Sequence, residues 1–155
     1  MTLTPEEKRE IAEEQKRYPD RRAVCVEALK IAQRSRGWIS DETLRELAEH
    51  LGMTADELDG VATFYNMIFR RPVGRHVIFL CDSVSCWVMG VETLRARLKE
   101  RLGIGLGETT PDGEYTLLPV ACLGACDHAP ALLLDRELHV DVTEEKLHLL
   151  IERRG

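Results

Sequence analysis

Two apolar runs in this chain each lead into a pair of cysteines, and that coincidence restricts the fold more than any other feature. Residues 76–80 read His-Val-Ile-Phe-Leu and end at Cys81-x4-Cys86. Residues 115–118 read Tyr-Thr-Leu-Leu and lead through Pro119 to Cys122-x3-Cys126. Continuous apolar runs of this length are expected to be strands covered on both faces. Two such strands in one sheet would carry all four sulfurs to one place. Four converging thiolates are the usual ligand set of an iron–sulfur cluster.

The chain ahead of residue 72 is helical in texture. Thr4, Pro5 and Glu7 supply an N-cap, a proline at the first helical position and a capping-box glutamate. Val24, Ala28, Ile31 and Ala32 predict a helix within residues 20–36, closed by Gly37. Ser40 caps a third segment whose Leu44, Leu47, Ala48 and Leu51 share one face, with Gly52 at its end. Thr54 and Glu57 form a second capping box and open a fourth helix. Short helices with narrow apolar faces bury little alone, so these are expected to pack as a small bundle or against a partner.

The texture changes at Pro72-Val73-Gly74. After the first strand, Val91, Leu94 and Leu98 repeat at helical spacing as far as Gly103. A glycine-rich connection then leads to the second strand. Residues 131–134 and 138–140, separated by Asp135-Arg-Glu137, predict a hairpin. Thr143 caps a last helix with Glu144 and Glu145 in its first turn, which suits the helix dipole. The expected fold is α+β, with an N-terminal helical region at residues 1–72 and a β-α-β-β-β-α domain at 73–155.

Charge and hydropathy exclude several roles. The chain has 155 residues, with 21 Lys and Arg against 27 Asp and Glu, a net charge of −6. That balance argues against nucleic acid as the main partner. No apolar run reaches the roughly 18 residues of a membrane span, so direct membrane insertion is not expected. The polar start Met1-Thr-Leu-Thr-Pro5 has no signal-peptide pattern, which predicts a cytoplasmic protein. In a reducing compartment, clustered cysteines hold metal or do redox chemistry rather than form structural disulfides.

The cysteine spacing leaves more than one chemistry open. A structural zinc site also takes four cysteines, in C-x2-4-C knuckles. Thiol–disulfide exchange normally uses Cys-x-x-Cys, which is absent. The paired arrangement favours a two-iron cluster over a four-iron one. Gly124 lets the backbone turn closely between Cys122 and Cys126, and Ser83 and Ser85 put small side chains between the first pair.

At these residues the chain resembles a known family. The stretches are Arg36-Gly-Trp-Ile39, Gly60-Val-Ala-Thr-Phe-Tyr65, Phe69-Arg-Arg-Pro-Val-Gly74, Cys81-Asp-Ser-Val-Ser-Cys86, Leu117-Leu-Pro-Val-Ala-Cys-Leu-Gly-Ala-Cys126 and Ala129-Pro130. They resemble the thioredoxin-like [2Fe–2S] ferredoxin family, to which the E subunits of bacterial NADH:quinone oxidoreductase, the proton-translocating respiratory complex I, belong. The resemblance implies a thioredoxin-like domain behind a small N-terminal helical bundle. It implies one [2Fe–2S] cluster on Cys81, Cys86, Cys122 and Cys126. It implies a flavin subunit as partner, which binds FMN and NADH and exchanges single electrons with the cluster. Further peripheral-arm subunits, a place peripheral to the inner membrane, and no catalytic site on this chain follow from the same resemblance. Related subunits serve NAD-linked hydrogenases and formate dehydrogenases. Trp87 and His139 depart from the family pattern, which often has histidine and tyrosine there.

Other motifs have plainer readings. Gly103-Ile-Gly-Leu-Gly107 follows a helix instead of opening one, so it is expected to be a connection and not a nucleotide loop. His76, His128 and His139 are alternative metal ligands of the Rieske kind. Cys25 is expected to be a small buried hydrophobe. Phe64, Tyr65 and Phe69 are expected to divide between bundle core and an interface, with Arg70 and Arg71 at its rim.

Overall fold

A computed structural model describes residues 3–152. Met1 and Thr2 of the polar start, and residues 153–155 of the second expected domain, lie outside the described residues. The chain forms two compact units, Met1–Pro72 and Val73–Gly155.

The first unit holds four helices: α1 (Pro5–Gln15), α2 (Cys25–Arg36), α3 (Asp41–Leu51) and α4 (Ala55–Phe64). Their starts follow from local chemistry. Thr4 and Glu7 close a capping box on α1, and Thr54 and Glu57 close another on α4. Gly37 and Gly52 end α2 and α3 in the left-handed conformation. Ile11, Leu29, Leu47 and Leu58 bury their side chains in one shared core. Glu7 does more than cap. Its carboxylate also accepts from Arg36 and from the Ser35 hydroxyl, so it ties α1 to the end of α2. Arg36 beside it holds the Glu7 carboxyl down at about 2, against the opposing effect of burial.

The second unit is a five-stranded mixed sheet in the order β2-β3-β1-β4-β5. Its strands are β1 (His76–Cys81), β2 (Glu108–Thr109), β3 (Tyr115–Val120), β4 (Leu132–Leu134) and β5 (Glu137–His139). β1 and β3 run parallel, with Ile78 opposite Leu117 and Cys81 opposite Val120. The other neighbours are antiparallel. Three helices accompany the sheet: α5 (Val84–Val88), α6 (Val91–Leu102) and α7 (Glu144–Glu152). Leu94 and Leu98 of α6 and Leu147 and Ile151 of α7 share a core with Ile78, Leu80 and Leu117. Asp135 turns the β4–β5 hairpin at φ 58°. Its carboxylate accepts from the Val77 N–H at 3.0 Å and meets His76 Nδ1 at 3.0 Å. Gly74 packs so close that a Cβ there would lie 2.9 Å from the Tyr115 backbone.

The structure departs from the sequence reading in three places. Residues 20–36 are not one helix: Asp20 caps a 3-10 turn, Arg21–Val24, before α2 begins. The glycine-rich connection contains β2, which pairs with β3. The segment between Cys81 and Cys86, for which the sequence reading names only small side chains, runs into α5. Five residues are too few to show a helical period, and Val84, Trp87 and Val88 are poor helix formers, so the pattern is silent there.

Candidate metal centre

The parallel pairing of β1 with β3 gathers the four clustered cysteines. Parallel neighbours have their carboxyl ends on the same edge of the sheet, where open α/β folds place their ligands. Cys81 is the last residue of β1. Cys122 follows the end of β3, and Cys126 opens a 3-10 turn, Cys126–His128. Cys86 lies on α5, and Asp82 N–H donates to Val120 O at 2.7 Å, fastening the start of that loop to β3.

The four thiols form one electrostatic group. Cys81 helps to raise the Cys86 and Cys126 thiols and to lower Cys122. The Cys122 and Cys126 sulfurs are 3.6 Å apart. All five cysteines are free thiols. Cys81 and Cys86 are buried, while Cys122 and Cys126 are exposed. Burial pushes the Cys86 thiol above its ordinary value. The Gly124 N–H, donating to Cys122 Sγ at 3.3 Å, pulls the Cys122 thiol down. Cys122 in turn holds the Cys126 proton on, so Cys126 is raised. Gly124 reaches this geometry at φ 79°.

This donor set fits a two-iron cluster. Such a cluster takes four thiolates, two on each iron. Among the described residues, no three His, Cys, Asp or Glu side chains gather around a single ion.

The other candidates lie elsewhere. His76 stands at the opposite end of β1 from Cys81 and pairs with Asp135. His139 is buried on β5. His128 sits beside Cys126 in sequence, but its Nδ1 meets Asp141 at 3.0 Å. Gly103 is the C-cap of α6, and Gly107 N–H donates to Leu117 O at 2.7 Å, so the glycine repeat is a helix-to-strand connection. Cys25 packs half-buried against the helical core.

The sequence pattern of the thioredoxin-like [2Fe–2S] ferredoxins matches residues 11–154. The chain belongs to that family. Among its thioredoxin-like relatives, the E subunit of NADH-quinone oxidoreductase from Pseudomonas aeruginosa is 49% identical over 152 residues, covering 98% of this chain and 92% of the relative. The corresponding Escherichia coli K12 protein is 46% identical over 151 residues, covering 97% and 91%. A solved NAD+-reducing [NiFe]-hydrogenase in its H2-reduced state contains a similar thioredoxin-like ferredoxin fold, with TM-score 0.69 and 27% identity. That match covers 81% of this chain and 21% of the hydrogenase chain; the air-oxidised form matches with TM-score 0.63 and 29% identity, over 71% and 19%. The chain therefore spans about a fifth of those hydrogenase chains.

Two features of this ferredoxin had no clear trace in the sequence. Val84, Trp87, Val88 and Met89 on and just after α5 are exposed, with Trp87 at 63%. The only hint was an apolar cluster among small polar residues. Arg70, by contrast, is not a rim charge. It donates to Asp41 and Asp59 at 2.6 Å each and to the Ile39 carbonyl, all within the helical unit. Those partners are distant in sequence, so no local pattern could reveal them. Phe64 and Tyr65 are both exposed and meet edge to face at 5.3 Å, whereas Phe69 is half-buried.

Proposed function

We propose that this chain is the electron-transfer subunit of an NADH-oxidising, quinone-reducing complex and holds one [2Fe–2S] cluster on Cys81, Cys86, Cys122 and Cys126. The observation that carries this reading is the convergence of two cysteine pairs at the carboxyl ends of parallel β1 and β3. Nearly full-length likeness to the E subunits of NADH-quinone oxidoreductases supports the choice of complex.

A bound cluster of this type supplies one-electron redox chemistry. The chain's own residues prepare for it. The thiols of Cys81 and Cys86 are held in the core, which excludes water from one side. Cys122 and Cys126 lie at the surface, which brings the site within reach of a partner. The Gly124 N–H aimed at Cys122 Sγ stabilises added negative charge and tunes the potential upward.

The proposed partner is the flavin subunit, which carries FMN and NADH. Electron transfer weakens steeply with distance, so that subunit must cover the cysteine end. Trp87, Val84 and Val88 on α5 are the apolar anchors offered there. No described helix is long and apolar enough to cross a membrane. Contact with the inner membrane then comes through other subunits of a cytoplasmic peripheral arm.

The test is anaerobic purification of the full chain, with iron and sulfide assays and low-temperature EPR before and after dithionite. A brown, EPR-silent protein with about two irons and two sulfides per chain, gaining a spin-half signal on reduction, is the expected result. A colourless protein holding zinc and no sulfide would refute the reading.

A further inference from the structure

We propose that Cys122 and Cys126 form a thiol-modification site in the cluster-free chain, taking a small disulfide of the glutathione class and closing to a reversible internal disulfide.

The geometry separates the two cysteine pairs. Cys122 and Cys126 are exposed, and their sulfurs lie 3.6 Å apart. A disulfide bond is about 2 Å long, so the two sulfurs need to approach by only about 1.6 Å. The chain between them can follow that approach. Cys122 lies outside regular structure, Gly124 sits between the two at φ 79°, and Cys126 begins a single 3-10 turn. Cys81 and Cys86 differ in access: they are 2% and 1% exposed, and Cys81 is fixed in β1 by its register with Val120. Exchange needs an attacking sulfur in line with the incoming S–S bond, which burial denies to that pair. Cys25 is in the other unit and half-buried.

The chemistry balances without a further oxidant. One exposed sulfur, Cys122 Sγ, attacks RSSR; an S–S bond breaks, a mixed disulfide forms, and one RSH leaves. Cys126 Sγ then attacks the Cys122 sulfur, and the second RSH leaves. Two protein thiols are oxidised and one RSSR is reduced to two RSH, with no net uptake or release of protons.

The consequence rests on the ligand assignment proposed above. A bonded Cys122–Cys126 pair offers no thiolates, so the oxidised chain takes up no cluster until a thiol reduces it. The redox state of the exposed pair then gates cluster loading.

The experiment uses the full cluster-free chain, incubated with oxidised glutathione, alkylated and mapped by mass spectrometry. The expected result is loss of two of the five thiols and a Cys122–Cys126 linked peptide. The Cys126→Ser chain should stop at a stable glutathione adduct on Cys122. Incubation with ferrous iron and sulfide should load the reduced chain, fail with the oxidised one, and recover after dithiothreitol. A bond between Cys81 and Cys86, or a pair that remains fully alkylatable, overturns the proposal. If the disulfide forms but the reduced chain takes up no iron, the modification site stands and the ligand assignment falls.

Discussion

Replacing Glu7 with glutamine tests how the helical unit is held together. The Glu7 and Arg36 side chains are only 9% and 10% exposed, and two Arg36 nitrogens meet the carboxylate. The folded carboxyl titrates at about 2, against 4.5 when free. Each pKa unit is worth about 1.4 kcal/mol, so this difference contributes about 3 kcal/mol of stability at neutral pH. The sign follows from the depressed value: the contribution is complete above about pH 5 and is lost as pH falls towards the folded pKa. Glutamine keeps the capping box, because its amide oxygen still accepts from Thr4 N–H. It removes only the charge and leaves Arg36 facing a neutral group. The expected loss is about 3 kcal/mol at pH 7, shrinking to about 1.5 kcal/mol at pH 3. Trp38 lies in this unit and Trp87 in the other, so Trp38 fluorescence in a Trp87→Phe background reports the helical unit alone. With a urea slope of about 1–1.5 kcal/mol/M, the midpoint should drop by about 2–3 M. A gap that stays constant from pH 7 to pH 3, or a shift below about 0.3 M, would refute the reasoning.

Further outcomes follow from other sites. Gly74→Ala puts a Cβ 2.9 Å from the Tyr115 backbone and should cost about 1–3 kcal/mol in the sheet unit; an unchanged melting temperature would contradict that crowding. Cys25→Ser should leave iron content and visible absorption intact, whereas Cys122→Ser should abolish both, and a normal spectrum in the second variant would remove Cys122 from the proposed ligand set. Trp87→Ser should weaken binding to the flavin subunit about tenfold or more while leaving the isolated chain's EPR signal in place. Equal affinity in a binding titration would move the interface away from α5.

What the sequence disclosed was chiefly local. Thr4 with Glu7, Thr54 with Glu57, and Gly37 and Gly52 mark helix ends through contacts within one turn, so spacing alone reveals them. The apolar run of β1 was equally plain, because a strand buried at nearly every residue has no polar interruptions. The α+β class followed from those elements in order. What stayed hidden depends on contacts across the chain. Arg70 reads as a surface charge until the fold brings Asp41, Asp59 and the Ile39 carbonyl to it. Glu7 reads as a cap, and only packing shows that it is also the counterion of Arg36. At the candidate site, cysteine spacing singled out four side chains, and the pairing of β1 with β3 brings them to one edge of the sheet. Spacing did not show that one pair would be buried and the other exposed, because exposure is set by α5 and by the sheet edge.

β1 and β3 are neighbours in the sheet, yet α5, α6 and β2 lie between them along the chain. During synthesis the first cysteine pair leaves the ribosome while the second is still unmade. Parallel pairing across a helical crossover is a non-local contact and forms slowly. Until it does, the chain presents two separate half-sets of sulfur. On the ligand set proposed above, cofactor uptake waits for that pairing, and a chain that acquires colour has already completed its sheet.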